Sequence, residues 1–133
     1  MFLKDLSSKE KQLFLQMCLH ISHSDNIFTD EEKLMIDTLC NEMSITASYD
    51  INLSFDDVLE KLKDIKSLSK KKSIIFELAG VVMADEAYAE PERELMIRIC
   101  EALEIDYSVA EESVKLISQM AAIYRKASVL VHG

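Results

Sequence analysis

Two glycines, one proline and no tryptophan occur in 133 residues. A sheet protein of this length needs a turn roughly every 8–12 residues, and those turns draw on glycine and proline. Their scarcity excludes a sandwich or barrel and leaves long helices joined by few tight turns. No segment alternates apolar and polar residues with period two. Cysteine is equally sparse. Cys18, Cys40 and Cys100 are odd in number and widely spaced, which excludes a disulfide framework. Each falls in an apolar stripe, so they read as small buried hydrophobes in a reducing compartment, and the expected location is the cytoplasm. Basic charge is outnumbered, with 15 Lys and Arg against 24 Asp and Glu, a net charge of −9 and a pI near 4.8. That balance argues against nucleic acid as the main partner and favours solubility and attraction of cations. No apolar run reaches the length of a membrane span, and Met1-Phe2-Leu3-Lys4-Asp5 lacks the apolar stretch of a signal peptide. There is no glycine-rich phosphate loop, no G-x-S-x-G elbow, and no Glu-x-x-His pair of the di-iron kind. Neither Cys40 nor Cys100 has a histidine near it in sequence, so no nucleophile–base pair is apparent and no enzyme is expected.

What the chain does contain is a repeat. Asp25-Asn26-Ile27-Phe28-Thr29-Asp30-Glu31-Glu32-Lys33 aligns without a gap on Asp85-Glu86-Ala87-Tyr88-Ala89-Glu90-Pro91-Glu92-Arg93. The match continues through Met35, Ile36, Leu39, Cys40, Met43 and Ile45, which fall on Leu95, Met96, Ile99, Cys100, Leu103 and Ile105. Conserved apolar size and acid placement at one offset indicate two copies of one supersecondary unit. With 49% apolar residues the chain can build a core of its own, and its length fits one domain spanning residues 1–133.

Helix signals are plentiful. Ser7 and Glu10 have capping-box spacing and open a helix from about Ser8 to Ser24, with Phe14, Leu15, Cys18 and Ile21 on one side. Thr29 and Glu32 form a second box, opening a helix to about Met43. Residues 46–54 read as a loop. Ser54 and Asp57 start a third helix over 55–66, and residues 66–72 read as a short break. A fourth helix runs to about Ala84 through Ile74, Ile75, Leu78, Val81 and Val82. Pro91 suits the first turn of a fifth, ending near Leu103. Ser108 and Glu111 suggest another capping box and a last helix over 109–128, with Val114, Ile117, Ala121 and Tyr124 inward. The expected fold is all-α, a six- to seven-helix bundle of two helical-hairpin repeats, about 7–66 and 67–128, related by a pseudo-twofold axis.

The chemically suggestive groups lie in the repeated turns. Asp25 and Glu32 are seven residues apart, as are Asp85 and Glu92. If the hairpins pack about a twofold, the four carboxylates meet, and a hard divalent cation, Ca²⁺ or Mg²⁺ foremost, would relieve their repulsion. The same acids also have structural roles. Asp25 can accept amides of its own turn, Glu32 belongs to the Thr29 box, and acids suit helix N-termini. Ala89 replaces Thr29 in the second copy, so Glu92 lacks a reciprocal cap. An EF-hand is excluded, since Asp30 stands where its glycine must be and Ile36 where its last ligand must be. Cys18, His20 and His23 form a weaker zinc candidate, which the second copy does not repeat. Six basic residues between Lys61 and Lys72 are either a solvated face or a contact for an acidic partner or anionic surface. The seven methionines read as core filling, or alternatively as an adaptable docking surface.

At residues 23–32 and 83–92 the chain resembles the TerB-like, or tellurite-resistance, family, whose helical halves each centre on an Asp-Gly…Glu turn. The resemblance covers roughly residues 7–125. Asn26 and Glu86 stand where the family has glycine; Asn tolerates a left-handed backbone and Glu does so poorly. The resemblance implies a cytoplasmic protein linked to chemical stress, metal-ion binding through these acids, and protein partners, including membrane-associated complexes. The expectation is therefore a non-enzymatic, acidic stress-response module binding a divalent cation. The alternative is a helical interaction scaffold in which the acids only cap helices and turns.

Overall fold

The computed structural model describes residues 1–84 and 88–133, and every regular element among them is an α-helix. Helix α1 (Ser8–Ser22) opens on the Ser7 box: Ser7 Oγ accepts from Glu10 N at 3.2 Å and Glu10 Oε1 accepts from Ser7 N at 2.7 Å. Helix α2 (Asp30–Met43) opens on Thr29. Helix α3 (Phe55–Leu62) is capped by Ser54 and is shorter than its apolar pattern implies. Helix α4 (Leu68–Val82) is capped by Ser67, whose Oγ accepts from Lys70 N at 3.3 Å. The expected break over 66–72 is thus confined to its first residues, and Lys70, Lys71 and Lys72 are helical. Helix α5 (Glu90–Leu103) carries Pro91 in its first turn, where a missing N–H leaves no gap.

Helix α6 (Ser108–His132) departs most from expectation. It starts one residue early and ends four late. No Ser108–Glu111 box forms; Asp106 Oδ1 instead accepts from Ser108 N at 2.8 Å. Tyr124, expected inward, is 76% exposed.

Helices α2 and α5 end alike. Ser44 (φ 59°) and Glu104 (φ 57°) are left-handed, and Ile45 N and Ile105 N reach back to Cys40 O and Cys100 O at 3.0 and 2.9 Å. These six-to-one bonds satisfy orphan carbonyls at each C-terminus, and the two isoleucines pack on the core beneath. A non-glycine residue in this conformation costs roughly 1–2 kcal/mol, so the satisfied carbonyls and packed isoleucines must outweigh it.

Helices α1 and α4 occupy the centre. They pack on each other, and each also packs on α2 and α5; α3 covers α1, and α6 covers α4. Surrounded in this way, they bury residues on most of their circumference: Leu13, Phe14, Leu15, Met17, Cys18, Leu19 and Ile21 on α1, and Ile74, Ile75, Leu78, Ala79, Val81 and Val82 on α4. Met96 and Ile99 of α5, Ile36 and Met43 of α2, and Val58 and Leu62 of α3 complete one continuous core.

Polar groups on the central helices serve to tie down the chain around them. Gln16 is buried; its Oε1 accepts from Asn52 N (2.8 Å) and Leu53 N (3.1 Å), and its Nε2 donates to Asp50 O (2.9 Å). His20 Nε2 donates to Leu53 O at 2.7 Å. Buried Glu77 accepts from Phe2 N at 2.8 Å, and Glu42 accepts from Leu3 N at 3.2 Å. These bonds hold the first residues against α2 and α4, with Leu3 fully buried.

Gly80 sits inside α4 facing α6, and a Cβ there would meet Ile117 Cδ1 at 3.9 Å, an ordinary van der Waals contact. Gly80→Ala is therefore expected to stabilise the fold by about 0.5–1 kcal/mol through helix propensity and unfolded-state entropy, read from urea melts. A loss of stability would mean that α6 packs closer to α4 than this distance implies.

Lys70 Nζ meets Glu10 Oε1 at 3.0 Å, joining the first turns of α4 and α1. Burial pushes the Glu10 carboxyl up, but bonds from Ser7 and Lys70 outweigh it, and the net shift is below the ordinary 4.5. A depressed folded-state value stabilises above the unfolded pKa and loses that contribution as pH falls through the folded one. Glu10→Gln should thus cost about 0.2–1 kcal/mol near neutral pH. The difference from wild type should close as pH is lowered below 4.5.

Candidate functional site

The first acidic turn is built from local bonds. Helix α1 closes at His23, and Asn26 N reaches back to His23 O at 3.0 Å. Asn26 is left-handed (φ 62°), as its residue type permits. Asp25 Oδ1 then accepts from Ile27 N at 3.0 Å, an Asx turn that aims the chain at α2. Phe28 plugs the turn between His23 (centroids 4.4 Å apart) and Tyr49 (6.0 Å). Thr29 and Glu32 complete the box: Thr29 Oγ1 accepts from Glu32 N, and Glu32 Oε1 accepts from Thr29 N, both at 3.0 Å. Glu32 is buried. Lys33 lies over the Tyr49 ring at 4.8 Å, and the Tyr49 hydroxyl donates to Asp37, which pushes its pKa up to about 12.

The second turn repeats the frame with other chemistry. Asp85, Glu86 and Ala87 lie outside the described residues, so the fourth acid expected at a shared site is among those not described. Glu92 is buried, and its Oε1 accepts from Ala89 N at 3.0 Å. This is half of a capping box, the half that needs no hydroxyl at the cap. Tyr88, in the place of Phe28, bonds Tyr107 hydroxyl to hydroxyl at 2.8 Å. Burial, reinforced by that bond, raises the Tyr88 pKa well beyond the ordinary tyrosine range. Arg93, matching Lys33, lies 5.6 Å over the Tyr107 ring.

Each described acid of the expected cation site, Asp25, Glu32 and Glu92, thus accepts a backbone amide of its own turn. Among the described residues no three His, Cys, Asp or Glu side chains form a group that could hold a metal ion. The zinc candidate is dispersed: Cys18 is in the core, His20 bonds Leu53 O, and His23 stacks on Phe28. No protein-family model, curated protein or solved structure matches the chain.

Further surface features lie on α3, α4 and α6. The basic run is partly committed, with Lys70 on Glu10 and Lys63 on Glu60. Lys72 instead borders an apolar groove of about 650 Å³ lined by Phe2, Leu68, Phe76, Val109 and Ser113. Beyond it, α6 exposes Leu116, Met120, Ile123, Tyr124, Leu130 and Val131. Met120, 43% exposed, does not serve as core filling. No described helix is long and apolar enough to cross a membrane. Sequence periodicity did not flag this face, because an apolar stripe looks the same whether the fold covers it or leaves it bare.

Cys18, Cys40 and Cys100 are free thiols, buried in the core. Burial raises all three pKa values, Cys100 to about 11. A thiol nucleophile needs a thiolate near neutral pH and access to substrate, and these have neither. Alkylation by iodoacetamide at neutral pH is expected to be slow for all three and to accelerate together in urea at the global unfolding midpoint. Rapid native labelling of any one would contradict the burial.

Proposed function

We propose that this chain is a non-enzymatic helical interaction module, with α6 as its binding face and the acidic turns as structural caps. One observation carries the reading: a row of large apolar side chains on α6 is exposed, while Asp25, Glu32 and Glu92 each accept a backbone amide of their own turn. Exposed contiguous apolar surface marks interaction sites. The buried, unreactive thiols favour a binding role over catalysis and fit a reducing, cytoplasmic setting.

We further propose that the two halves are related by an approximate twofold that exchanges α1 with α4 and α2 with α5. The reading is supported by the cross-packing, α1 on α5 and α4 on α2, around the α1–α4 contact. It is also supported by matching left-handed ends at Ser44 and Glu104. The resemblance of the turns to the TerB-like pattern adds a stress-response setting to the proposal.

A second reading, a divalent-cation module, is favoured by one observation. Glu92 is as buried as Glu32 although Ala89 gives it no hydroxyl to pair with. Thermal melts separate the two. On the capping reading, Thr29→Ala costs about 0.5–2 kcal/mol. Millimolar Ca²⁺, Mg²⁺, Mn²⁺ or Zn²⁺, compared with EDTA, then leaves Tm unchanged. An ion at 100 times its Kd would add about 2.7 kcal/mol. Such a shift, lost in Asp85→Asn or Glu92→Gln, would establish the cation module in place of the scaffold.

A further inference from the structure

One face of α6, half-buried at Val109, buried at Ser113 and bare from Leu116 onward, has a regular register. Val109, Ser113, Leu116, Met120, Ile123, Ala127 and Leu130 follow one another at alternating steps of four and three. That spacing is the 3.5-residue repeat of a helix that packs against another helix along its length. The first two positions line the groove walled by Phe2, Leu68 and Phe76, so groove and stripe form one band about 32 Å long at 1.5 Å per residue. Ile123 is 65% exposed and Leu130 85%. No described helix covers them.

Charge identifies the occupant. All 24 acids of the chain precede Ser113, and Asp106, Glu111 and Glu112 gather at the head of α6. After Glu112 the helix carries only basic charge, Lys115, Arg125 and Lys126. Beside the seam, Glu112, Gln119 and Lys126 share one register position, seven residues apart. In an antiparallel pair such flanking positions face their own kind across the seam. Centred on Gln119, such a pair sets Glu112 of each copy opposite Lys126 of the other. A parallel pair would instead set Glu112, Gln119 and Lys126 opposite Ile117, Tyr124 and Val131 of the other copy, with no opposite charge to meet. The same antiparallel register brings Ala127 and Leu130 of one copy level with Val109 and Ser113 of the other, over the groove.

We propose that the occupant of this face is a second copy of the chain, joined through antiparallel α6 helices. The proposal rests on reading α6 as a binding face and names the partner. Glu112, Ile123 and Lys126 are exposed, so substitutions there leave the core intact. Sedimentation equilibrium on the full chain is expected to give a dimer. Ile123→Glu should give a monomer with unchanged core stability. Glu112→Lys should weaken the dimer by about tenfold or more, some 1.4 kcal/mol, and adding Lys126→Glu should restore it. A wild-type monomer at the highest soluble concentration overturns the pairing, as does a dimer that survives Ile123→Glu or a charge swap that fails to restore association. A monomer that floats with vesicles of anionic lipid through α6 overturns it in favour of a membrane surface. Either monomer leaves the binding-face reading standing, whereas the ion-dependent melts test that reading separately.

Discussion

The contact between α1 and α4 is the constraint from which the rest of the molecule follows. Both helices are enclosed by neighbours, so nearly every side they present must be apolar. Truncating a large buried side chain such as Phe14 would remove about 3–5 kcal/mol, a sizeable fraction of the stability of a domain this size. Buried Gln16 and Glu77 and half-buried His20 each anchor a loop or terminus. Gln16 and His20 hold the segment before α3, and Glu77 holds the first residues of the chain. With the centre given over to packing, chemistry is displaced to the turns and to the outermost helix.

The turns show how one frame accepts different decoration. An aromatic plug follows each turn, a buried glutamate accepts the cap amide, and a basic residue lies over an aromatic ring of the next segment. The first copy uses Phe28 with Tyr49; the second uses the Tyr88–Tyr107 hydroxyl pair. What the copies share is burial and backbone geometry. What they do not share is the setting of those acids, since Ala89 stands where the first copy has Thr29 and Met83 where it has His23. On the capping reading, the repeat answers the demands of a helical corner, and Asp25, Glu32 and Glu92 are part of how that corner is built.

How far this was legible from residues alone depends on how local each signal is. Capping boxes at Ser7 and Thr29 and the apolar stripes of α1, α2, α4 and α5 are short-range, and they locate those helices to within two residues apart from the start of α4. Ser67 was obscured because the lysines around it resemble a loop, although Lys is a good helix former. Ser108 resembled a cap but sits inside α6, because Asp106 takes that amide first. Tyr124 shares the period of the buried stripe, yet helical period reports amphipathicity and not which neighbour exists. The groove under Phe2 joins residues far apart in sequence and has no local signature. For the candidate site, the turns and their acids were legible; their engagement as caps required the folded geometry, because one carboxylate suits either a cation or an amide.

Helix α6 closes the argument because its two ends are held by different forces. Its first half is packed on α4 through Ala110, Ser113 and Ile117, near the point where Gly80 leaves room. Its second half has no buried residue, and all but three of the residues from Gln119 onward are exposed. Most helical stability in proteins comes from packing an amphipathic face, and short helices without it are marginal in water. The tail nonetheless keeps a seam of Met120, Ile123, Ala127 and Leu130, where solvated residues would suit an unpartnered helix better. Apolar side chains on such a register gain nothing from water and much from a facing helix. On the proposed pairing, the order of the tail and the occupancy of its seam are one equilibrium, and dissociation should loosen the helix beyond Arg125 before it disturbs the core.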